Sequence, residues 1–444
     1  MFKQWMAWMF LGLAATGTLA APEPTDDPIY CGNCHQRIFR EYAGSVMGSD
    51  LQNPIVYQFF TGTNAKGEQD GLGYQGVFPG QPGDCAQCHV PKLVLKEHQA
   101  GREVDLGKAI VDKADHGISC SYCHSVQQVA VKKDGDRYKT GPVNTVTLDA
   151  GGAMHGPRAG VTSPAHPIKA DPFIRTAEFC SQCHLNQEEG HAKTRNAGKG
   201  VLAISTYEDW KTLYDSGAIK QTCVDCHMPA LPGRQEVALQ SPKRAGTRSH
   251  SFVGAHDPET LKSAVSLDMR TRVEGDTLVV TTVAENVGAG HNVPGSGPIR
   301  SVMLKVEAWG PDGKALEYVG GREGLLHPLA GMGHPKTGER GPQHWGGMPG
   351  RLYAKPLQTP ADPATGQRRL GVGGFAAESI AFDTTLRFRK PDTVDYRFRM
   401  PGGSTTVQVQ ARLVYRWAFI GLADAKGWKV DDRLMRVARA EVKR

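Results

Sequence analysis

All ten cysteines of this chain fall in one repeated pentapeptide. The repeats are Cys31-Gly-Asn-Cys34-His35, Cys85-Ala-Gln-Cys88-His89, Cys120-Ser-Tyr-Cys123-His124, Cys180-Ser-Gln-Cys183-His184 and Cys223-Val-Asp-Cys226-His227. An even cysteine count fits a disulfide framework, but disulfides do not ask for a histidine after every second cysteine. Paired C-x-x-C units build four-sulfur zinc sites, but five units leave one over and give the histidines nothing to do. Covalent haem attachment uses the whole motif. Both thiols become thioethers of the porphyrin, and the adjacent histidine is placed under the iron as proximal ligand. The sequence therefore calls for five covalent c-type haems, with His35, His89, His124, His184 and His227 on the irons.

Five porphyrins attached between residues 31 and 227 leave too little chain for five separate pockets. They must share walls and supply the hydrophobic core themselves, with short helices and loops wrapped around them. Haems packed so closely exchange electrons, and the expected result is a wire. The compartment agrees. "MFKQWMAWMFLGLAATGTLAAPEP" has an early cation (Lys3), an apolar run from Trp5 to Ala15 and small residues at Thr18, Ala20 and Ala21, the layout of a secretory signal over residues 1–20. The alternative, an uncleaved anchor, needs about 20 apolar residues, more than this run supplies. No later stretch is apolar enough to span a membrane, so a periplasmic or extracellular location is expected. The net charge of +7 is spread over short runs of both signs, a solvated, mildly basic surface with no nucleic-acid recognition module.

Sixteen histidines less five proximal ones leaves eleven for the distal iron positions. At this point the text "YCGNCHQRIFREYAGSVMGSD", "CAQCHVPK", "HGISCSYCHSV", "GPRAGVTSPAH", "EFCSQCHL", "STYEDWKTLYDSGAIKQTCVDCHMP" and "RSHSF" resembles the multihaem c-type cytochromes related to hydroxylamine oxidoreductase and its tetrahaem electron-acceptor cytochrome, over about residues 29 to 256. The resemblance implies distal ligation by His116, which would serve a different haem from the one beside it, by His166 of "SPAH" and by His250 of "SHSF". The short Gly117-Ile118-Ser119 tether agrees, because it makes the far face of the adjacent haem awkward to reach. His155, His256 and His98 compete for distal roles. Where many relatives have a histidine soon after the first motif, this chain has Met47. As a ligand it would give a His/Met haem of raised potential; as packing it would leave an iron open. His291, in "NVGAGHNVPGS", resembles a loop through which a following β domain donates a ligand backwards. Tyr207, Trp210 and Tyr214 follow one another at spacings of three and four on a predicted helix, expected to pack on porphyrin faces rather than to act as a catalytic tyrosine.

Beyond about residue 262 cysteine vanishes and β-formers alternate. The text from 264 to 288 reads as two strands joined at Glu274-Gly275-Asp276, the next from 299 to 320 turns at Pro311-Asp312-Gly313, and further strands are expected at 384–389, 394–399 and 405–416. The fold class is thus α+β by region: a haem-packed domain of short helices and loops over 21–262, then an antiparallel immunoglobulin-like sandwich over 263–444. A Gly/Pro-rich loop at 321–375 is expected to fold over the haem region, and its His327, His334 and His344 read as ordinary loop residues rather than a metal site. Electron carriage is the expected function, with redox proteins as partners. The rivals are an oxidoreductase acting on a small nitrogen or sulfur compound at a five-coordinate haem, and a subunit of a homo-oligomer or cytochrome filament.

Overall fold

The computed structural model describes residues 26–135, 137–188 and 201–444. The expected signal segment lies outside the described residues, as does His191. Up to residue 264 the described backbone is short helices joined by loops and two-stranded ribbons, and the longest of those helices, Thr206–Asp215, has ten residues. Every cysteine motif sits on or at the end of such a helix: Pro28–Gly32, Cys85–His89, Cys120–Ser125, Ala177–His184 and Cys223–His227. A helical turn explains the spacing, since positions i, i+3 and i+4 share one face. Caps start these helices. The Asp27 carboxylate accepts from the Ile29 amide ahead of Pro28, the Ser119 hydroxyl accepts from Tyr122, and Thr222 and Asp225 form a reciprocal capping box.

From residue 265 the chain forms two main antiparallel sheets, besides a small three-stranded one of Leu357–Gln358, Leu370–Val372 and Ser379–Ile380. The strands are β1 (Val265–Glu274), β2 (Thr277–Asn286), β3 (Ser301–Trp309), β4 (Gly350–Tyr353), β5 (Asp392–Arg399), β6 (Thr406–Arg416) and β7 (Arg433–Lys443). They are ordered β1-β2-β5 in one sheet and β4-β3-β6-β7 in the other. Glu274 pairs with Thr277 across a two-residue turn in which Gly275 takes φ +63°, a conformation glycine adopts without steric cost. One core joins the sheets, built from Leu278, Val280, Tyr396 and Phe398 on one side and Val302, Leu304, Val409 and Leu413 on the other. Strand β3 is buried along nearly its whole length because its outer face is covered as well. There Met303 packs under Leu326, Trp345, Leu352 and Phe419.

That covering corrects the expected path of the 321–375 loop. Most of it lies on its own sheet, and its end reaches the haem-motif region through Phe375, whose ring meets Phe59 edge-on at 5.2 Å. The strand expected at 384–389 is absent. Leu386 and Phe388 make only single bridges, to Val293 and Asn286. Further bonds tie the two regions together. Lys426, fully buried, donates to the carbonyls of Gln58 and Thr63 and pairs with Asp70 at 3.0 Å. Lys355 donates to Ser205 Oγ at 2.8 Å, and Arg433 to the Ala255 carbonyl at 2.6 Å.

Candidate functional site

One continuous cavity of about 2690 Å³ runs through the first half of the chain, and all ten cysteines and all five motif histidines line it. A drug-sized ligand occupies roughly 300–1,000 Å³, so this space suits several large groups sharing walls. Its remaining lining includes Tyr42, Phe59, Tyr74, Phe179, Tyr207 and Trp210.

No disulfide forms among the ten cysteines. Instead, thiols of different motifs approach one another: Cys31 lies within hydrogen-bond reach of Cys120, Cys88 of Cys183, and Cys180 of Cys223. Motif three also touches motif four, because the Tyr122 hydroxyl donates to Gln182. The attachment points thus form a connected set, with the fourth motif adjoining the second, third and fifth.

The motif histidines are oriented from behind. Nδ1 of His35 donates to the Val237 carbonyl at 2.7 Å, that of His124 to the His155 carbonyl at 2.6 Å, and that of His227 to the Val253 carbonyl at 2.6 Å. A carbonyl only accepts, so each Nδ1 carries the proton and each Nε2 keeps its lone pair for a metal. His89 has a carboxylate behind it, Asp50 Oδ2 at 2.6 Å.

The distal candidates separate cleanly. The His166 ring faces that of His35 with centroids 6.4 Å apart, and His291 faces His227 at 6.3 Å with planes 9° from parallel. A metal held between two imidazole nitrogens, each at about 2 Å, places ring centroids roughly 6 Å apart, so both gaps fit a haem iron between the rings. Each distal ring also donates Nδ1–H to a carbonyl, His166 to Pro167 at 3.1 Å and His291 to Asn292 at 2.8 Å. His250 lines the cavity, donates Nδ1–H to Arg248 at 3.3 Å, and is pushed down to about 4 by burial and then by neighbouring His124. Met47 lines the cavity too.

The other candidates are placed differently. His116 is half-buried outside the cavity lining, and His98 is exposed. His155 lines the cavity and is buried, but both ring nitrogens are taken, by Asp171 and Asp149 at 2.9 Å each. That clamp holds Asp149 down to about 2 and fixes the carbonyl that orients His124. His256 lines the cavity as well, with its Nδ1 beside Gly254. His327 and His334 accept backbone amides through Nδ1, and His344 does so while also bonding Asp424 at 2.8 Å. Among the described residues no second ring faces His89, His124 or His184 as His166 and His291 face their partners.

The loop that carries His291 is held from the sandwich. Asn286, fully buried at the end of β2, donates to the His291 carbonyl at 2.8 Å and accepts from the Ala289 amide at 3.0 Å. A side chain on Gly295 would come within 2.8 Å of the His291 ring, so only glycine lets the loop close this tightly. Tyr207 and Trp210 line the cavity, with the Tyr207 hydroxyl on Glu178 and Trp210 Nε1 on the Gln221 carbonyl, whereas Tyr214 stacks on Trp210 from the exposed side. Sequence reasoning missed Asp50 and the carboxylate clamp on His155, since a lone aspartate in a turn carries no local signal.

Short helices wrapped about one shared cavity, followed by stacked antiparallel sheets, define a class: this is a multihaem cytochrome fold. One solved structure it is similar to is a penta-heme cytochrome c552 from Thermochromatium tepidum, with a TM-score of 0.62, 19% identity, and coverage of 93% of this chain and 97% of that one. No protein-family model and no curated protein sequence matches the chain. Among the described residues no helix is long and apolar enough to cross a membrane.

Proposed function

We propose that the chain is a pentahaem electron-transfer protein acting outside the cytoplasm. The observation that carries the reading is that all five C-x-x-C-H motifs open onto one continuous cavity with their attachment points in contact. Cys31 and Cys34, Cys85 and Cys88, Cys120 and Cys123, Cys180 and Cys183, and Cys223 and Cys226 would hold the haems. His35 with His166, His227 with His291, and His124 with His250 would be axial pairs. Each bound haem supplies a one-electron Fe(III)/Fe(II) couple. The chain's own work is to orient the imidazoles through their Nδ1 bonds, exclude water with aromatic walls, and keep neighbouring groups in contact.

The division at about residue 262 is part of this reading, as is an immunoglobulin-like character for the sandwich, supported by its three-plus-four strand count. So is kinship with the hydroxylamine oxidoreductase group, supported by motif order. The sandwich supplies a ligand through His291 and closes the array. Redox proteins are the partners in this proposal. A reducing titration of the holoprotein, followed optically and by EPR, tests it: five one-electron steps with mainly low-spin signals are expected, and fewer than five would refute it. A second reading is an oxidoreductase with an open iron, since among the described residues the ring pairing of His35 and His227 does not recur at His89, His124 or His184. Rapid binding of cyanide by one haem would select it.

A further inference from the structure

The five motif histidines are not equivalent. Three donate Nδ1–H to uncharged backbone carbonyls, and His184 has no such partner among the described residues. His89 alone donates to a carboxylate, Asp50 Oδ2 at 2.6 Å. The Asp50 side chain is about 16% exposed, and among the described residues neither lysine nor arginine pairs with it. Its charge is thus directed at the imidazole without a competing cation. The turn that presents it is fixed: Ser45 Oγ donates to the Tyr42 carbonyl at 2.6 Å and accepts from Gly48 at 3.0 Å, and the Asn53 amide donates to the Asp50 carbonyl at 3.1 Å.

A charged acceptor makes a shorter and stronger hydrogen bond than a neutral one. It draws the Nδ1 proton away from the ring, so Nε2 becomes the more strongly donating ligand, and donation of that kind stabilises the more highly charged oxidation state of a metal. Resting on the pentahaem reading, we propose that Asp50 is a positioning residue that lowers the potential of the haem held by Cys85, Cys88 and His89. Cys88 touches Cys183 of the fourth motif, which also meets the third and fifth. The second haem therefore stands beside a junction, where a lowered potential bears on how electrons divide among its neighbours.

The test compares the wild-type holoprotein with D50N and D50E by potentiometric titration resolving five midpoints. D50N is expected to raise one midpoint by a tenfold or larger change in the oxidised-to-reduced ratio at fixed potential, about 59 mV for a one-electron couple. The other four should stay in place, and D50E should keep the low value. Five unmoved midpoints in D50N, or a shift shared by several haems, would overturn the proposal. Wild-type protein that never takes up five haems would instead refute the underlying functional reading. Should D50N fail to mature, the fully reduced wild-type protein carries the test: one proximal Nδ1–H proton resonance, that of His89, should lie downfield of those bonded to carbonyls, and its absence would equally overturn the assignment.

Discussion

At the scale of single residues, what was legible follows locality. The cysteines and histidines of the motifs repeat within five residues, so they stand out in the text alone. Distal positions would depend on rings brought together from far apart, and the candidates differ in what each ring nitrogen already does. His155 looked as suitable as His166, but two carboxylates occupy it, whereas His166 keeps Nε2 free opposite His35. His291 gives a direct check. His291→Ala should leave five haems attached and convert one low-spin ferric EPR signal to high-spin, and an unchanged spectrum would remove His291 from the ligand set. Met47 gives another, because a thioether ligand raises the potential of its haem. If it binds iron, oxidised protein should show a weak near-infrared sulfur-to-iron band that Met47→Ala abolishes. If Met47 is packing, the band is missing and one iron takes up cyanide rapidly.

Among the elements, the hairpin of β1 and β2 was readable from alternation and Gly275, whereas β7 was not. It is an edge strand, mostly exposed, and Arg433–Lys443 carries three arginines, two alanines, a glutamate and a lysine, so its pairing with β6 over Thr406–Tyr415 depends on a neighbour rather than on its own pattern. Contacts between elements also set two stability predictions. Lys426, on the helix Ile420–Lys426, holds the sandwich to the helix Pro54–Thr61. Replacing it with Met strands Asp70 in a largely buried site, and chemical denaturation should show a loss of about 3–5 kcal/mol. Asp209, on the helix Thr206–Asp215, is raised to about 6 from an ordinary 3.8, mainly by burial and against the pull of Lys355. Because the folded value is the higher one, its contribution to stability is fully present below the unfolded value and is lost as pH rises through about 6. Wild type should therefore lose about 1–2 kcal/mol relative to Asp209→Asn between pH 4 and 7, the shift being discounted for partial exposure. Parallel profiles for the two proteins would contradict that.

For the whole molecule, the cavity explains why so long a stretch of short helices holds a defined shape. Between residues 26 and 264 the buried apolar clusters are small and separate, and the largest core belongs to the sandwich. Covalently held groups filling about 2690 Å³ would supply the missing interior. This feature was the easiest to foresee from sequence, because five motifs in under half the chain leave no other use for the space. The path of the 321–375 segment was the hardest, because its anchors, Leu326, Trp345 and Phe375, are isolated apolar residues without period. The central claim, that every cysteine is a haem attachment, is tested most directly by the intact mass of the protein isolated from a host that matures c-type cytochromes. The expected mass is that of the processed chain plus five haems, with no free thiol. Fewer haems, a mass lowered by disulfide hydrogens, or bound zinc in their place would contradict it.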